Sequence, residues 1–177
     1  ETGLYISSGT SIVYRLSSNL GPLSGTGLTT SWWELNLSTN TAYTRYAEAK
    51  NLFGSNWSVS KTTYTLANPP INSVIVLRSS VSVTIQWSAN SNPGYTRWGI
   101  LRSTDNFTVS ITTLKTFADN FFSLSFTDSS LSFNTTYYYK IRAFNENGIS
   151  TGFDVVVSTI TKLPYDTTKP LPPSGLI

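Results

Sequence analysis

Slid against itself by 94 residues, the sequence meets a second copy of its own pattern, and that internal repeat constrains the fold more than any other feature. The run Leu37-Ser38-Thr39-Asn40-Thr41-Ala42-Tyr43 falls on Leu131-Ser132-Phe133-Asn134-Thr135-Thr136-Tyr137. Ala49, Asn51 and Gly54 fall on Ala143, Asn145 and Gly148, and Pro70 falls on Pro164. Upstream, Ile6 falls on Ile100 and Thr10 on Thr104, so the alignment predicts one ungapped register across both copies. A chain of 177 residues with such a repeat divides into small units, each with its own modest core.

Each unit alternates with period two between turn clusters, the pattern of half-buried strands. Val81, Val83, Ile85 and Trp87 share one face, followed by the turn cluster Asn90-Ser91-Asn92-Pro93-Gly94. Trp98 and Ile100, with Thr96, form a further inward set. Phe122, Leu124 and Phe126 form another, and Tyr137, Tyr139, Ile141 and Ala143 a fourth. Tyr138, Lys140, Arg142 and Phe144 then face outward. Asn145-Glu146-Asn147-Gly148 reads as a hairpin turn and Asp154–Thr161 as the last strand. No helical stripe occurs, and the 27 Ser and 26 Thr favour strands and turns, so the fold class is all-β.

Leu131-x5-Tyr137, Ala143-x-Asn145-x-x-Gly148 and Trp87 at the end of an early strand together resemble the fibronectin type III domain, and the phrasing resembles tandem repeats of long bacterial cell-surface proteins. The resemblance implies tandem immunoglobulin-like β-sandwiches: a partial unit at 1–67 lacking its two N-terminal strands, a complete unit at 68–163, and at 164–177 a Pro-rich linker with the first strand of a further unit. It implies that Trp87 is the core tryptophan and that Tyr137 and Tyr43 are tyrosine corners, their hydroxyls returning to backbone near Leu131 and Leu37. Arg45 departs from the pattern, standing where the other copy has inward Tyr139. The first residue is Glu and there is no Met, so the sequence reads as a segment of a longer chain. The open half of the first unit would be completed by preceding residues or by a strand from another subunit.

The chain has no Cys and no His, which removes thiolate and imidazole metal sites, Ser-His-Asp triads and disulfides. A net charge of +3 is too small to argue for nucleic acid, and no apolar run is long enough for a membrane-spanning helix. Carboxylate pairs such as Asp119 with Asp128, or Glu34 with Glu48, fall at turns or strand ends where no cleft is expected, so no catalytic residues, cofactor or metal ligands are assigned and the chain reads as a non-enzyme. Asp105, Asp119 and Asp128 do not form a calcium motif. The four sequons, at Asn36, Asn56, Asn106 and Asn134, are what 14 Asn among so many Ser and Thr produce by chance.

Candidate contact residues are Trp33 and Trp57, as exposed aromatic platforms, and a basic-aromatic face of Arg97, Tyr138, Lys140 and Arg142 on neighbouring strands. The functional expectation is a structural or spacer repeat of an extracellular or cell-surface protein, serving adhesion or assembly. Its partners would be neighbouring domains of the chain or identical subunits. The alternatives are a filament subunit completed by strand exchange and a carbohydrate-binding module for a surface glycan. The joint Leu66-Ala67-Asn68-Pro69-Pro70 is expected to be stiff, because proline restricts it.

Overall fold

The computed structural model describes residues 34–51 and 53–164 in full and the backbone of 13–18 and 21–22. Thirteen strands lie among the described residues: β1 (Val13–Ser18), β2 (Gly21–Pro22), β3 (Ala42–Asn51), β4 (Gly54–Trp57), β5 (Lys61–Tyr64), β6 (Ile71–Arg78), β7 (Val83–Ser88), β8 (Arg97–Ser103), β9 (Thr112–Lys115), β10 (Ser125–Asp128), β11 (Thr136–Phe144), β12 (Ser150–Phe153) and β13 (Val157–Ile160). The one helical element among them is a 3-10 turn at Phe117–Asp119.

Strands β6 to β13 make a two-sheet sandwich. One sheet is ordered β10-β7-β6; the other is ordered β12-β11-β8-β9, with β13 also pairing β11. All pairs are antiparallel. The last strand is split. β12 pairs with Arg142–Phe144 and β13 with Thr136–Tyr139, and Asp154 sits at the break, its carboxylate accepting the Ser73 N–H of β6 at 2.8 Å. Sequence alternation anticipates β13 but not β12, which carries Phe153.

The core lies between the sheets. Val83, Ile85 and Trp87 come from β7, Trp98 and Ile100 from β8, and Tyr137, Tyr139, Ile141 and Ala143 from β11, all buried. Trp87 meets Trp98 edge to face at 6.0 Å. Two expectations fail here. Val81 is half exposed, because it stands in the turn where Ser79 N–H bonds Ser82 O at 2.8 Å, before the strand begins. Phe122 and Leu124 are exposed as well; the chain reaches β10 irregularly, so Phe121 rather than Phe122 packs inward, on Trp87 and Phe126.

The earlier residues form a sheet ordered β2-β1-β3-β4, with β5 on β3. Its register corrects the ungapped alignment. Leu16 pairs with Ala47, whereas Ile100 pairs with Ile141, and Ala47 and Ile141 are the equivalent residues. Leu16 therefore takes the place of Ile100, ten residues later than a constant offset allows, and the Ile6–Ile100 match is fortuitous; at β5 the partner of Ala42 is Tyr64 while that of Thr136 is Ile160, so the copies there are 96 apart and the Pro70–Pro164 match is lost as well. Residues before β1, and so the expected absence of two strands, lie outside the described residues, as do Trp32, Trp33 and 165–177.

At the lower end the two copies repeat atom for atom. The Ser38 N–H donates to the Tyr43 hydroxyl at 2.9 Å and the Ser132 N–H to the Tyr137 hydroxyl at 3.0 Å. Thr65 Oγ1 donates to Ser38 O at 2.6 Å, and Thr161 Oγ1 to Ser132 O at 2.7 Å. Asn40 and Asn134 both hold a left-handed backbone, at φ 43° and 49°. Asn occupies seven of the ten positive-φ non-glycine positions among the described residues, which gives the Asn richness its physical reason.

Between the copies the linker is stitched down. Asn68 N–H donates to Asn92 Oδ1 at 2.8 Å and Asn92 Nδ2 returns to Asn68 O at 2.7 Å, while Asn90 Nδ2 reaches Pro69 O at 2.8 Å. Asn40 is fully buried at the joint. Its Nδ2 donates to Thr96 Oγ1 at 3.0 Å, its Oδ1 accepts the Glu146 N–H at 2.9 Å, and its carbonyl accepts the Tyr95 hydroxyl at 2.8 Å. Asn145 Nδ2 to Thr65 O at 3.2 Å and Asn147 Nδ2 to Thr63 Oγ1 at 3.1 Å complete the contact.

Candidate functional site

The outer face of the larger sheet carries the most developed surface feature among the described residues. Alternation along β11 turns Tyr137, Tyr139, Ile141 and Ala143 inward and leaves Lys140 and Arg142 half-buried on the outer face, where Phe144 also lies but is buried, at 6% exposure, beneath its neighbours. Register then places Arg97 opposite Phe144 and Phe153 opposite Arg142. Cations and rings alternate along this face as a continuous ladder. Lys140 Nζ sits 4.1 Å from the Phe107 ring centre and 4.6 Å from that of Phe153. The Arg142 guanidinium lies 5.1 Å from Phe153 and 4.9 Å from Phe144. Phe144 meets Phe117 edge to face at 5.8 Å, and Arg97 covers Phe117 at 4.4 Å and Phe122 at 5.6 Å. Each stacked cation contributes about 0.5–1 kcal/mol at such a half-exposed site.

Gly99 makes the ladder possible. A Cβ there would lie 2.7 Å from the Phe144 ring and 3.2 Å from Arg142 Cγ, so the bare backbone is the bed on which Phe144 lies. Arg97 closes the end nearest the joint, with an ion pair to Glu146 at 2.7 Å and a hydrogen bond to Asn120 Oδ1 at 2.7 Å. The backbone N–H of Glu146 is the one held by Asn40, so the ladder ends on the contact between the two copies.

The structure brings together three of the candidate contact residues, Arg97, Lys140 and Arg142. Tyr138 lies on the same strand between Ser103 and Ser158 and stacks with no cation among the described residues. The rings are instead Phe107, Phe117, Phe144 and Phe153. Phe144 was legible as lying on the outer face; Phe107 reaches that face from a loop and Phe117 from the 3-10 turn, where no alternation marks them. Trp57 is 46% exposed on β4 and engaged edge-on with Tyr46 at 5.1 Å. Trp33 lies outside the described residues.

The carboxylates are held by structural partners. Asp128 accepts from the Tyr139 hydroxyl at 3.0 Å and pairs with Arg102 at 3.1 Å. Burial, and then the Asp128 charge, push the Tyr139 phenol well above its ordinary value. Asp105 accepts from Ser103 Oγ and from the N–H groups of Ser110, Val109 and Thr108, which lower its pKa to about 2. Asp119 caps the 3-10 turn through the Thr116 N–H and hydroxyl, which lower its carboxyl too. Glu34 pairs with Arg45. Among the described residues no three acidic side chains gather to hold a metal, and no helix is long and apolar enough to cross a membrane.

No family model and no curated protein matches the sequence. The fold does match solved structures. The crystal structure of domains A168–A170 from titin is 16% identical over 87% of this chain and 55% of that one, with a TM-score of 0.50. A fibronectin type III domain of a human fibronectin type III domain-containing protein is 18% identical over 54% of this chain and 86% of that one, at 0.46. An Fn3-like protein from Clostridium thermocellum is 28% identical over 56% and 98%, at 0.44. With three strands facing the remainder of the sandwich and tyrosine corners at equivalent places, the chain has a fibronectin type III-like all-β fold.

Proposed function

We propose that this chain is a non-catalytic spacer segment of an extracellular or cell-surface protein, setting a fixed distance and orientation between neighbouring units that serve adhesion or assembly. The observation that carries this reading is the joint. Asn40 is fully buried between the copies with three hydrogen bonds to the second unit, and the linker backbone is pinned by Asn68, Asn90 and Asn92. Flexible tethers do not bury polar groups at their ends; a fully satisfied amide there specifies one geometry. The carboxylates serve turns and ion pairs, and the cation-aromatic ladder stiffens the sheet that meets the joint.

Small-angle scattering of the chain and of Asn40→Gly tests the reading. Glycine keeps the left-handed backbone and removes the amide. The native chain should give one narrow interdomain distance, and the variant should spread it. A native profile already spread over many orientations would reject a spacer of fixed geometry. Antibody labelling of intact source cells tests the surface location.

A further inference from the structure

The two outer faces of the second unit differ in charge. In the sheet β10-β7-β6, Ile71, Val74 and Leu77 of β6 stand opposite Ser88, Gln86 and Thr84 of β7. Ser125 and Thr127 of β10 stand opposite Gln86 and Thr84 from the other side. Residues directly opposite share a face, and Val83, Ile85 and Trp87 fill the inner one, so this set forms the outer face. No member of it is charged. The charged residues of these strands, Arg78 and Asp128, both stand opposite buried Val83 and belong to the inner face.

Two register shifts in β6 build this face. Plain alternation would put Ile71, Ser73, Ile75 and Leu77 on one side. Shifts between Ile71 and Val74 and between Ile75 and Leu77 instead turn Ser73 and Ile75 inward and bring Ile71, Val74 and Leu77 out. Val76, the extra residue of the second shift, is exposed as well, and Val155 and Val156 lie beside the start of the strand, where Asp154 holds the Ser73 N–H. These six aliphatic residues are 40–66% exposed. They leave roughly 500 Å² of apolar surface, towards the upper end of what a lone soluble domain shows. At the usual apolar share of about 60%, that surface corresponds to roughly 800 Å² on each partner, the size of a specific dimer contact.

We propose that this face pairs with the same face of a second copy of the chain, sheet against sheet, about a two-fold axis close to Gln86. Gln86 is exposed on the central strand, and its amide both donates and accepts, so it is complementary to its own image. Neutral meeting neutral desolvates no charge. Pairing with the cation-aromatic face would instead bury Lys140 and Arg142, which take part in no ion pair among the described residues, against a surface that has no carboxylate to offer. The bulges also interrupt the row of backbone groups that an added strand would need, so the contact is made by side chains across the face and not by lengthening the sheet. Such pairing runs sideways to the chain; it goes beyond the spacer reading and does not depend on it.

Sedimentation of the whole chain between about 1 µM and about 1 mM should show a reversible monomer–dimer equilibrium, and the amide signals that shift with concentration should map to β6, β7 and β10. Val74→Lys and Val74→Glu should each weaken the dimer about ten-fold or more, because like charges then meet across the axis, and an equimolar mixture of the two should recover it. Melting temperatures close to native show that the variants are folded. Gln86→Lys with Gln86→Glu repeats the test on the neighbouring strand if the changes at Val74 lower the melting temperature. A chain that stays monomeric throughout, or a dimer indifferent to both pairs of variants, overturns the proposal. So do concentration-dependent shifts that map to Lys140, Arg142 and Phe153 instead. Weakening by each charge with no recovery in the mixture overturns the pairing of like face with like.

Discussion

Arg45 grips Glu34 with two nitrogens, at 2.6 and 2.9 Å, at the two positions where the second copy holds the Tyr139 hydroxyl to Asp128 at 3.0 Å. One contact is therefore kept across the repeat while both of its residues change, from an ion pair at a half-exposed site to a phenol-carboxylate bond in a buried one. The replacement of an inward Tyr by Arg is thus compensated locally rather than being a break in the pattern. Arg45→Ala should cost only about 0–1 kcal/mol, because exposed pairs are screened. Exchange of both residues for the other pair, Arg45→Tyr with Glu34→Asp, should be tolerated better than Arg45→Tyr alone; chemical denaturation of the three variants checks it.

Trp87→Ala should destabilise the second unit by about 3–5 kcal/mol, because it removes a ring packed on both Trp98 and Phe121. Thermal unfolding followed by tryptophan fluorescence measures this. An unchanged melting temperature would show that the sheets are held elsewhere.

Gly99→Ala should displace Phe144 and open the ladder, at about 1–3 kcal/mol, since the new methyl would overlap the ring. Gly152→Ala, in the edge strand β12 of the same sheet with open space around it, is the control and should be close to neutral. Comparing aromatic proton shifts of the two variants would locate the disturbance at Phe144.

Stability should fall in acid and in alkali for separate reasons. Asp105 is held near pKa about 2 by hydrogen bonds, so its contribution is present above about pH 4 and is lost as pH falls towards 2; Glu34 and Asp119 are also lowered, so their contributions too are present above the ordinary carboxylate range and lost in acid. The Tyr139 phenol is raised, so its contribution is complete below about pH 10 and is lost as pH climbs beyond it. Tyr139→Phe should remove the alkaline limb while leaving the acid limb in place, as read from melting temperature against pH.

The sandwich was legible because alternation and turn chemistry are local: Val83, Ile85 and Trp87, or Tyr137 to Ala143, announce a face by spacing alone. The tyrosine hydroxyls were legible from a partner a few residues away. The ten-residue slip at Leu16 was hidden because single matches such as Ile6 with Ile100 carry no spacing of their own. The ladder was half visible. Outward cations follow from strand parity, but Phe107 comes from a loop and Phe117 from the 3-10 turn, and both are placed by tertiary packing. Asn40 stands in the repeat with no mark of its second role, since an Asn that shapes a turn and one that also grips a neighbour look alike in one dimension.

The exchange between Asn68 and Asn92 has a mechanical meaning. Where two units meet, the backbone is not a slack string but is bonded sideways to the loop it passes, so tension along the molecule would load several hydrogen bonds in shear together before the joint could straighten. Such a linkage would yield late and all at once.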